Sequence, residues 1–254
     1  MNLSMDDGAG FQIDAFDTSP YVMMPYNPPE YPEYMAALGY GKVKDLYAWL
    51  FRTDNEGFGR LERLAERLMR SHKINFSLRQ ADMKQFPREV TLLKAIYNEA
   101  WEQNWGFVKL TDGEINYLAN DLKMILDPRI ALFIEVDGEV AGLALALPNV
   151  NQVFKQMPGG RLFPLGIFKL LQRKRYINEA RLAILGVLPK FRMKGLELIL
   201  IKAIADSGKA AGYFQGECSW VLEDNDAMNK GIMAAGAELY KTYRIYQKSL
   251  KDKA

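Results

Sequence analysis

The stretch of sequence that decides the fold is Leu185-Gly186-Val187-Leu188-Pro189-Lys190-Phe191-Arg192-Met193-Lys194-Gly195-Leu196. An apolar strand runs into a proline, a short basic loop follows, and a helix begins at the glycine. Free backbone N–H groups and the dipole at a helix start favour an anion, and glycine lets a phosphate approach the backbone closely. The loop carries three basic side chains, Lys190, Arg192 and Lys194, which is more positive charge than one carboxylate requires for binding. The stretch predicts a pyrophosphate-binding loop; the alternative is an ordinary strand-to-helix turn with solvated basic residues.

Regular hydrophobic patterns on both sides of this loop predict the remaining elements. Alternation of apolar and polar residues indicates strands, and a period of about 3.6 residues indicates helices. Thr111 and Glu114 form the capping-box signature of a helix start. Strands are predicted over 74–80, 131–136, 140–147, 180–188, 217–222 and 238–248, and helices over 88–103, 111–127, 195–211 and 226–235. This order predicts the α/β class, with a mixed central sheet flanked by helices.

Composition and charge exclude several classes of function. The 254 residues carry 33 basic and 31 acidic side chains, a net charge of +2, so we expect no nucleic-acid partner. One cysteine, Cys218, forms no intramolecular disulfide and favours a cytoplasmic location. With one histidine, His72, neither a multi-histidine metal site nor a Ser-His-Asp triad is expected. No apolar run approaches the ~20 residues of a membrane span, and the first residues do not resemble a secretory signal.

The loop and the order of elements resemble those of the GCN5-related N-acetyltransferases. The acetyl-CoA motif of that family is a strand ending in V-x-P, followed by Q/R-x-x-G-x-G/A at a helix start. Val187 and Pro189 match the strand end, and Arg192 and Gly195 match the loop. The resemblance implies an acyl-CoA N-acyltransferase without a metal, which uses acetyl-CoA or another acyl-CoA as co-substrate and a small-molecule or peptide amine as acceptor. The cofactor-binding residues that it implies are Leu185, Val187, Arg192, Met193, Lys194, Gly195, Leu196 and Asn225.

The residues expected for catalysis match the family less well than those for binding. Glu197 stands where the family usually has Gly or Ala, and Ile232 stands where it commonly has the tyrosine that protonates the leaving thiolate. A tyrosine of the last strand, Tyr240 or Tyr243, could replace that acid. Two carboxylates at strand ends, Glu179 and Glu223, are the candidate bases that deprotonate the amine. Together with Tyr243 as the candidate acid, they are the predicted catalytic residues. The alternative function is a catalytically degenerate fold that serves as a CoA-binding or protein-interaction module.

The N-terminal part of the chain resembles a fragment of a second, similar unit. Residues 35–44 and 233–241 each contain a helix end, a glycine and an aromatic strand, preceded by Asn27 and Asn225 respectively. Three nearby stretches also resemble a bacterial subfamily of tandem acetyltransferase-like proteins, called YghO-like: Asn27-Pro28-Pro29, Val43-Lys44-Asp45-Leu46 and Leu222-Glu223-Asp224-Asn225. We expect the first repeat to be N-terminally truncated, and a homodimer that completes its sheet is one arrangement left open. The predicted units are 1–55, the C-terminal remnant of the first repeat; 56–73, a linking helix; and 74–254, the acyl-CoA-binding domain.

Residues 149–178 form an insertion between two predicted strands. Its apolar residues between 163 and 171 are followed by Arg173-Lys174-Arg175, which predicts an amphipathic helix with a basic end. Such a helix could line the pocket for a large or apolar acceptor, or contact anionic lipid or RNA. We favour a lid helix that packs on the sheet and leaves its basic residues in solvent.

Overall fold

A computed structural model of the chain describes residues 8–53, 56–71, 75–161 and 166–249. His72 and the first residue of the predicted strand 74–80 lie outside this part. The strands are β1 (Phe11–Gln12), β2 (Gly41–Arg52), β3 (Phe76–Gln80), β4 (Ala131–Val136), β5 (Glu139–Pro148), β6 (Glu179–Val187), β7 (Gln215–Leu222) and β8 (Glu238–Gln247). The helices are α1 (Tyr31–Ala37), α2 (Glu56–Ser71), α3 (Phe86–Ala100), α4 (Asp112–Lys123), α5 (Asn151–Phe154), α6 (Gly166–Leu171), α7 (Leu196–Ala211) and α8 (Asp226–Ala234).

The eight strands form one mixed sheet in the order β1-β8-β2-β7-β6-β5-β4-β3. Neighbouring strands are antiparallel except β6 and β7, which are parallel. This architecture confirms the predicted fold class. Strand β2, which precedes the predicted linking helix in sequence, lies between β7 and β8 and pairs with both. Strands from both sides of that helix therefore build the same sheet.

Local sequence signals explain where several helices begin and end. The Thr111 side chain accepts a hydrogen bond from the Glu114 backbone N–H, and the Glu114 side chain accepts one from the Thr111 backbone N–H, so the predicted capping box is present. Helix α4 ends at Lys123, before the predicted residue 127, because Asp127 instead caps the following turn by accepting from Arg129 N. Asn225 caps α8 by accepting from Met228 N.

The two faces of the sheet carry separate groups of buried side chains. Along β2, Trp49 and Phe51 pack with Ile201 of α7, whereas Leu46 and Ala48 pack with Tyr21 and Met24 of the N-terminal segment. This division follows from the alternation of side chains along a strand. We call the first the α7 face and the second the N-terminal face. Asn27 fixes the N-terminal segment, because its side chain accepts from Gln12 N and donates to Gln12 O.

Candidate active site

The parallel pairing between β6 and β7 stops halfway along the two strands. It runs from Glu179 and Gln215 to Leu182 and Cys218, and residues 183–187 of β6 are not paired with β7. We call Leu182 and Cys218 the last pair. Beyond it, the edge of β6 that faces β7 has backbone groups available to an extended ligand, as in the addition of a strand to a sheet edge.

The unpaired part of β6 leads directly into the predicted phosphate loop. After a short turn over Pro189–Phe191, Met193 and Gly195 adopt left-handed backbone conformations with φ of 62° and 74°. Helix α7 then begins at Leu196 and runs for 16 residues. The N–H groups of Leu198 and Ile199 donate to the Gly195 carbonyl, at 3.2 Å each. The N–H groups of Leu196 and Glu197, which precede these first helical bonds, are therefore the donors left for an anion.

The basic side chains of the loop differ in their partners. The Arg192 guanidinium donates to the backbone carbonyls of Ala100, at 2.5 Å, and Val187, at 3.4 Å, so it ties the end of β6 to the end of α3. Lys190 forms an ion pair with Glu139. Lys194 lies over the Phe191 ring, 5.3 Å from its centroid. The backbone N–H groups and Lys194 are therefore the donors best placed for a bound anion.

A cluster of polar side chains, all buried except the half-buried Tyr240, lies on the N-terminal face beside the last pair. We call it the polar cluster and define it as Arg181, Glu217, Ser219, Tyr240, Lys241 and Tyr243. The Glu217 carboxylate, which is fully buried, accepts hydrogen bonds from the Ser219 hydroxyl at 2.6 Å and from the Tyr240 hydroxyl. Arg181 donates to the hydroxyl and the carbonyl of Ser219 at 2.9 and 3.1 Å. Arg181 and Glu217 are register partners, one step before the last pair.

Burial shifts the ionisation of this cluster. It raises the pKa of Tyr240, and the Glu217 carboxylate raises it further. Burial likewise raises the pKa of Tyr243 and lowers the pKa values of Arg181 and Lys241. The Lys241 Nζ and the Tyr243 hydroxyl are buried without a hydrogen-bond partner among the described residues. Such groups are costly to bury, so they are the ones a polar ligand or ordered water would satisfy.

The three predicted catalytic residues lie far apart in the sheet. Glu179 begins β6 and accepts hydrogen bonds from Asn149, at 2.8 Å, and Gln215, at 3.4 Å. Glu223 follows the end of β7, where it pairs with Lys42 at 2.6 Å. Because β6 and β7 are parallel, these two carboxylates stand at opposite ends of the sheet. Tyr243, in contrast, belongs to the polar cluster near the last pair.

Sequence reasoning did not select Glu217, Arg181 or Ser219. A signal was present, because Arg181 and Glu217 are charged residues within predicted strands, where charges are rarely buried unless they are paired. Ile232, at the position of the family tyrosine, is buried among apolar side chains of the α7 face. Asn225, predicted as a cofactor-binding residue, uses its side chain to cap α8.

The insertion contains the short helix α6, and residues 162–165 lie outside the described part of the chain. Phe168 and Leu171 of α6 are exposed, and the Arg173 side chain donates to the Met124 carbonyl. Among the residues that the structure describes, no helix is long and apolar enough to cross a membrane. Nor does this part contain a group of three or more His, Cys, Asp or Glu side chains that could hold a metal ion.

The chain is similar to curated bacterial proteins over 98% of its length. It is 38% identical to the bacterial ceramide synthase of Caulobacter vibrioides and 33% identical to protein YghO of Escherichia coli. It spans 65% and 64% of the lengths of these two relatives. No family model matches the chain.

Solved structures of acetyltransferases share the fold at low sequence identity. A GCN5-related N-acetyltransferase from Sphaerobacter thermophilus matches with a TM-score of 0.57 and 13% identity, over 89% of this chain and 62% of that one. A tandem acetyltransferase protein of this type from the clavulanic acid pathway matches with a TM-score of 0.51 and 12% identity, over 87% and 59%. The predicted resemblance is thus confirmed: the chain has the fold of the GCN5-related N-acetyltransferases and is a relative of bacterial ceramide synthase and YghO.

Proposed function

We propose that this chain binds an acyl-CoA along β6 and transfers the acyl group to an amine. The observation that carries the proposal is the end of pairing at Leu182 and Cys218, which leaves residues 183–187 leading to the start of α7. An extended pantetheine arm can pair with that free backbone edge, and a pyrophosphate suits the N–H groups at the helix start.

In this proposal the cofactor-binding residues have different tasks. Leu185 and Val187 present their backbone to the pantetheine, and Gly195, Leu196 and the preceding residues hold the pyrophosphate with Lys194. Arg192 is predicted to bind phosphate, but its hydrogen bonds to the Ala100 and Val187 carbonyls support a positioning role for the loop. Met193 is almost fully exposed, which supports a backbone role rather than a side-chain one.

The proposed reaction forms an amide by direct attack of the amine nitrogen on the thioester carbon. The C–S bond breaks, the amine loses a proton, and the CoA thiolate gains one. We propose Glu217 as the group that accepts the amine proton, because it is the carboxylate beside the last pair and is already hydrogen-bonded to Ser219 and Tyr240. Tyr240 or Tyr243 would then protonate the thiolate. Glu179 and Glu223 remain the alternative bases.

We further propose a lipid amine as the acceptor. The name of the Caulobacter relative supports this, since a ceramide is the amide of a long-chain amino alcohol with a fatty acid. Phe168 and Leu171 of α6 also leave apolar surface exposed on the insertion, which favours a large or apolar acceptor. We also propose a cytoplasmic location and a homodimer.

We also keep the division of the chain as a proposal: 1–55 as the remnant of a first repeat, 56–73 as a linking helix and 74–254 as the acyl-CoA-binding domain. The antiparallel pairing of β2 with β8, each preceded by a short helix and a glycine, supports a duplicated origin for the two segments. Because β2 lies inside the shared sheet, the remnant would be needed for folding of the whole unit.

A second candidate function is a binding module without catalysis. Two observations favour it: Ile232 is buried where the family commonly has its acid, and Arg192 is engaged by backbone carbonyls. This candidate predicts that acyl-CoA binds but is not consumed.

The test begins with thermal unfolding of the whole chain in the presence of acyl-CoA. A ligand at about 100 times its Kd should stabilise the protein by about 2.7 kcal/mol. Lys194→Glu should weaken this stabilisation, whereas Lys209→Glu, the same charge change at the other end of α7, should not. Release of the CoA thiol is then measured with a long-chain amino alcohol, a short amine and a peptide. Absence of stabilisation refutes both candidates, and stabilisation without release with any acceptor favours the binding module.

A further inference from the structure

A cavity of about 70 Å³ lies between α7 and the sheet, on the α7 face. We call it the apolar cavity. Its lining includes both residues of the last pair, Leu182 and Cys218. Helix α7 contributes Ile201, Ala205 and Gly208. The cavity therefore reaches the place where β6 and β7 separate, and it does so from the side opposite the polar cluster.

The cavity continues the path that the pantetheine arm would take. Helix α7 starts after the end of β6, and its C-terminal end lies beside the beginning of β6, where Phe214 N donates to Asn178 O. The helix therefore runs back along β6. A thioester that reaches the last pair from the loop at Gly195 would point its acyl group toward the part of α7 between Ile201 and Gly208. At about 1.5 Å per residue, that part is about 10 Å long.

The chemistry of the lining suits an aliphatic chain. No charged side chain is among the residues that line the cavity in the described part of the chain, and small side chains, including Ala180, Ala205 and Gly208, leave the space open. Burial raises the pKa of the Cys218 thiol to about 12, so this side chain is neutral at physiological pH. The lining also contains Thr53, Tyr213 and Gln215, but its surface is mainly apolar, which favours an apolar group over water.

We propose that the apolar cavity receives the acyl chain, so that the site prefers acyl groups longer than acetyl. The inference rests on the proposed acyl-CoA function. Each methylene that becomes buried should tighten binding by about fourfold, the equivalent of ~0.8 kcal/mol. The volume of about 70 Å³ limits this gain to the first few carbons unless the lining side chains move.

The experiment measures the Kd of CoA, acetyl-CoA, butanoyl-CoA and hexanoyl-CoA by calorimetry. Wild type should bind butanoyl-CoA more tightly than acetyl-CoA by about tenfold or more. Ala205→Leu fills the cavity and should remove this gain while it leaves the Kd of CoA unchanged. Ala210→Leu makes the same change at an exposed position of α7 and should keep the gain.

Two results would overturn the inference in different ways. If CoA binds but the gain with chain length is absent in wild type, or persists in Ala205→Leu, the acyl chain does not enter the cavity and the proposed function survives. If neither CoA nor any acyl-CoA binds, the proposed function fails as well. Should Ala205→Leu unfold, Ala205→Val is the milder substitute, and it should remove part of the gain.

Discussion

The two sides of the sheet at the last pair differ completely in chemistry, although neighbouring residues supply them. Arg181 and Glu217 point to the N-terminal face, into the polar cluster, whereas Leu182 and Cys218 point to the α7 face, into the apolar cavity. A strand sends successive side chains to opposite faces, so one step along β6 and β7 changes the environment from charged to apolar. A thioester at this position would have proton-accepting groups on one side and space for its acyl chain on the other.

Both sides also give up stability. On the N-terminal face, Lys241 and Tyr243 bury polar atoms without a partner among the described residues, at a cost of about 1 to 3 kcal/mol each. On the α7 face, the cavity lacks the van der Waals contacts that larger side chains would make. Folding alone does not require either feature. They lie at adjacent register pairs, Arg181 with Glu217 and Leu182 with Cys218, which supports the reactive position that we propose.

The largest effect is expected from the substitution Glu217→Gln. It removes the proposed base, so the rate of acyl transfer should fall by about 10²- to 10⁴-fold. It also removes the buried negative charge that acts on Arg181 and weakens the hydrogen bonds from Ser219 and Tyr240, so the free energy of unfolding should fall by about 1 to 3 kcal/mol. Steady-state kinetics and urea unfolding measure the two effects on one preparation.

Glu223→Gln is the matched control for this substitution. It removes a carboxylate at the surface end of β7 that pairs with Lys42, a contact worth at most about 1 kcal/mol. The comparison distinguishes Glu217, the base proposed from the structure, from Glu223, a base predicted from the sequence. A greater loss of rate in Glu223→Gln than in Glu217→Gln would move the proton transfer away from the polar cluster.

The sequence predicted those parts of this site that depend on local signals. The loop that we propose to bind phosphate consists of one strand end, one glycine with positive φ and one helix start, all within residues 185–196. The capping box of α4 spans four residues. In both cases the interactions that fix the structure lie within one or two turns of the chain, so the residue pattern contains them.

The polar cluster and the position of β2 depend on contacts between distant residues. Arg181 and Ser219 are 38 positions apart and meet only because β6 and β7 pair in parallel. The pairing of β2 with β7 and β8 joins residues more than 160 positions apart in the chain. A single sequence reports the tendency to form a strand and does not report its neighbours.

An intermediate effect is expected from Ile232→Tyr, which places on the α7 face the tyrosine that the family commonly has at this position. Ile232 is 3% exposed in a cluster with Trp49, Ile201 and Val221, so a larger side chain with a hydroxyl should lower the free energy of unfolding by about 1 to 3 kcal/mol. We expect no increase in the rate of acyl transfer, because the surroundings are apolar. A rate increase in this variant would show that the α7 face can host the acid and would weaken the division between the two faces.

The smallest effect, and the one with the opposite sign, is expected from Lys241→Met. The Lys241 Nζ is buried without a hydrogen-bond partner among the described residues, so an apolar side chain of similar length should raise the free energy of unfolding by about 1 kcal/mol at neutral pH. Burial lowers the pKa of Lys241 from its usual 10.5 in the folded state, although Glu217, Asp14 and Asp17 oppose this.

The sign of the pH dependence follows from linkage. Between the lowered folded pKa of Lys241 and the unfolded value of 10.5, the unfolded state binds more protons, so the stability of wild type rises with pH across this window. Lys241→Met lacks that rise, and its advantage over wild type should therefore shrink as the pH approaches 10.5. Urea unfolding of both proteins at several pH values measures the difference. If Lys241→Met is less stable than wild type throughout, the ammonium is satisfied in the folded protein, and the polar cluster is a balanced ion network rather than a site prepared for a ligand.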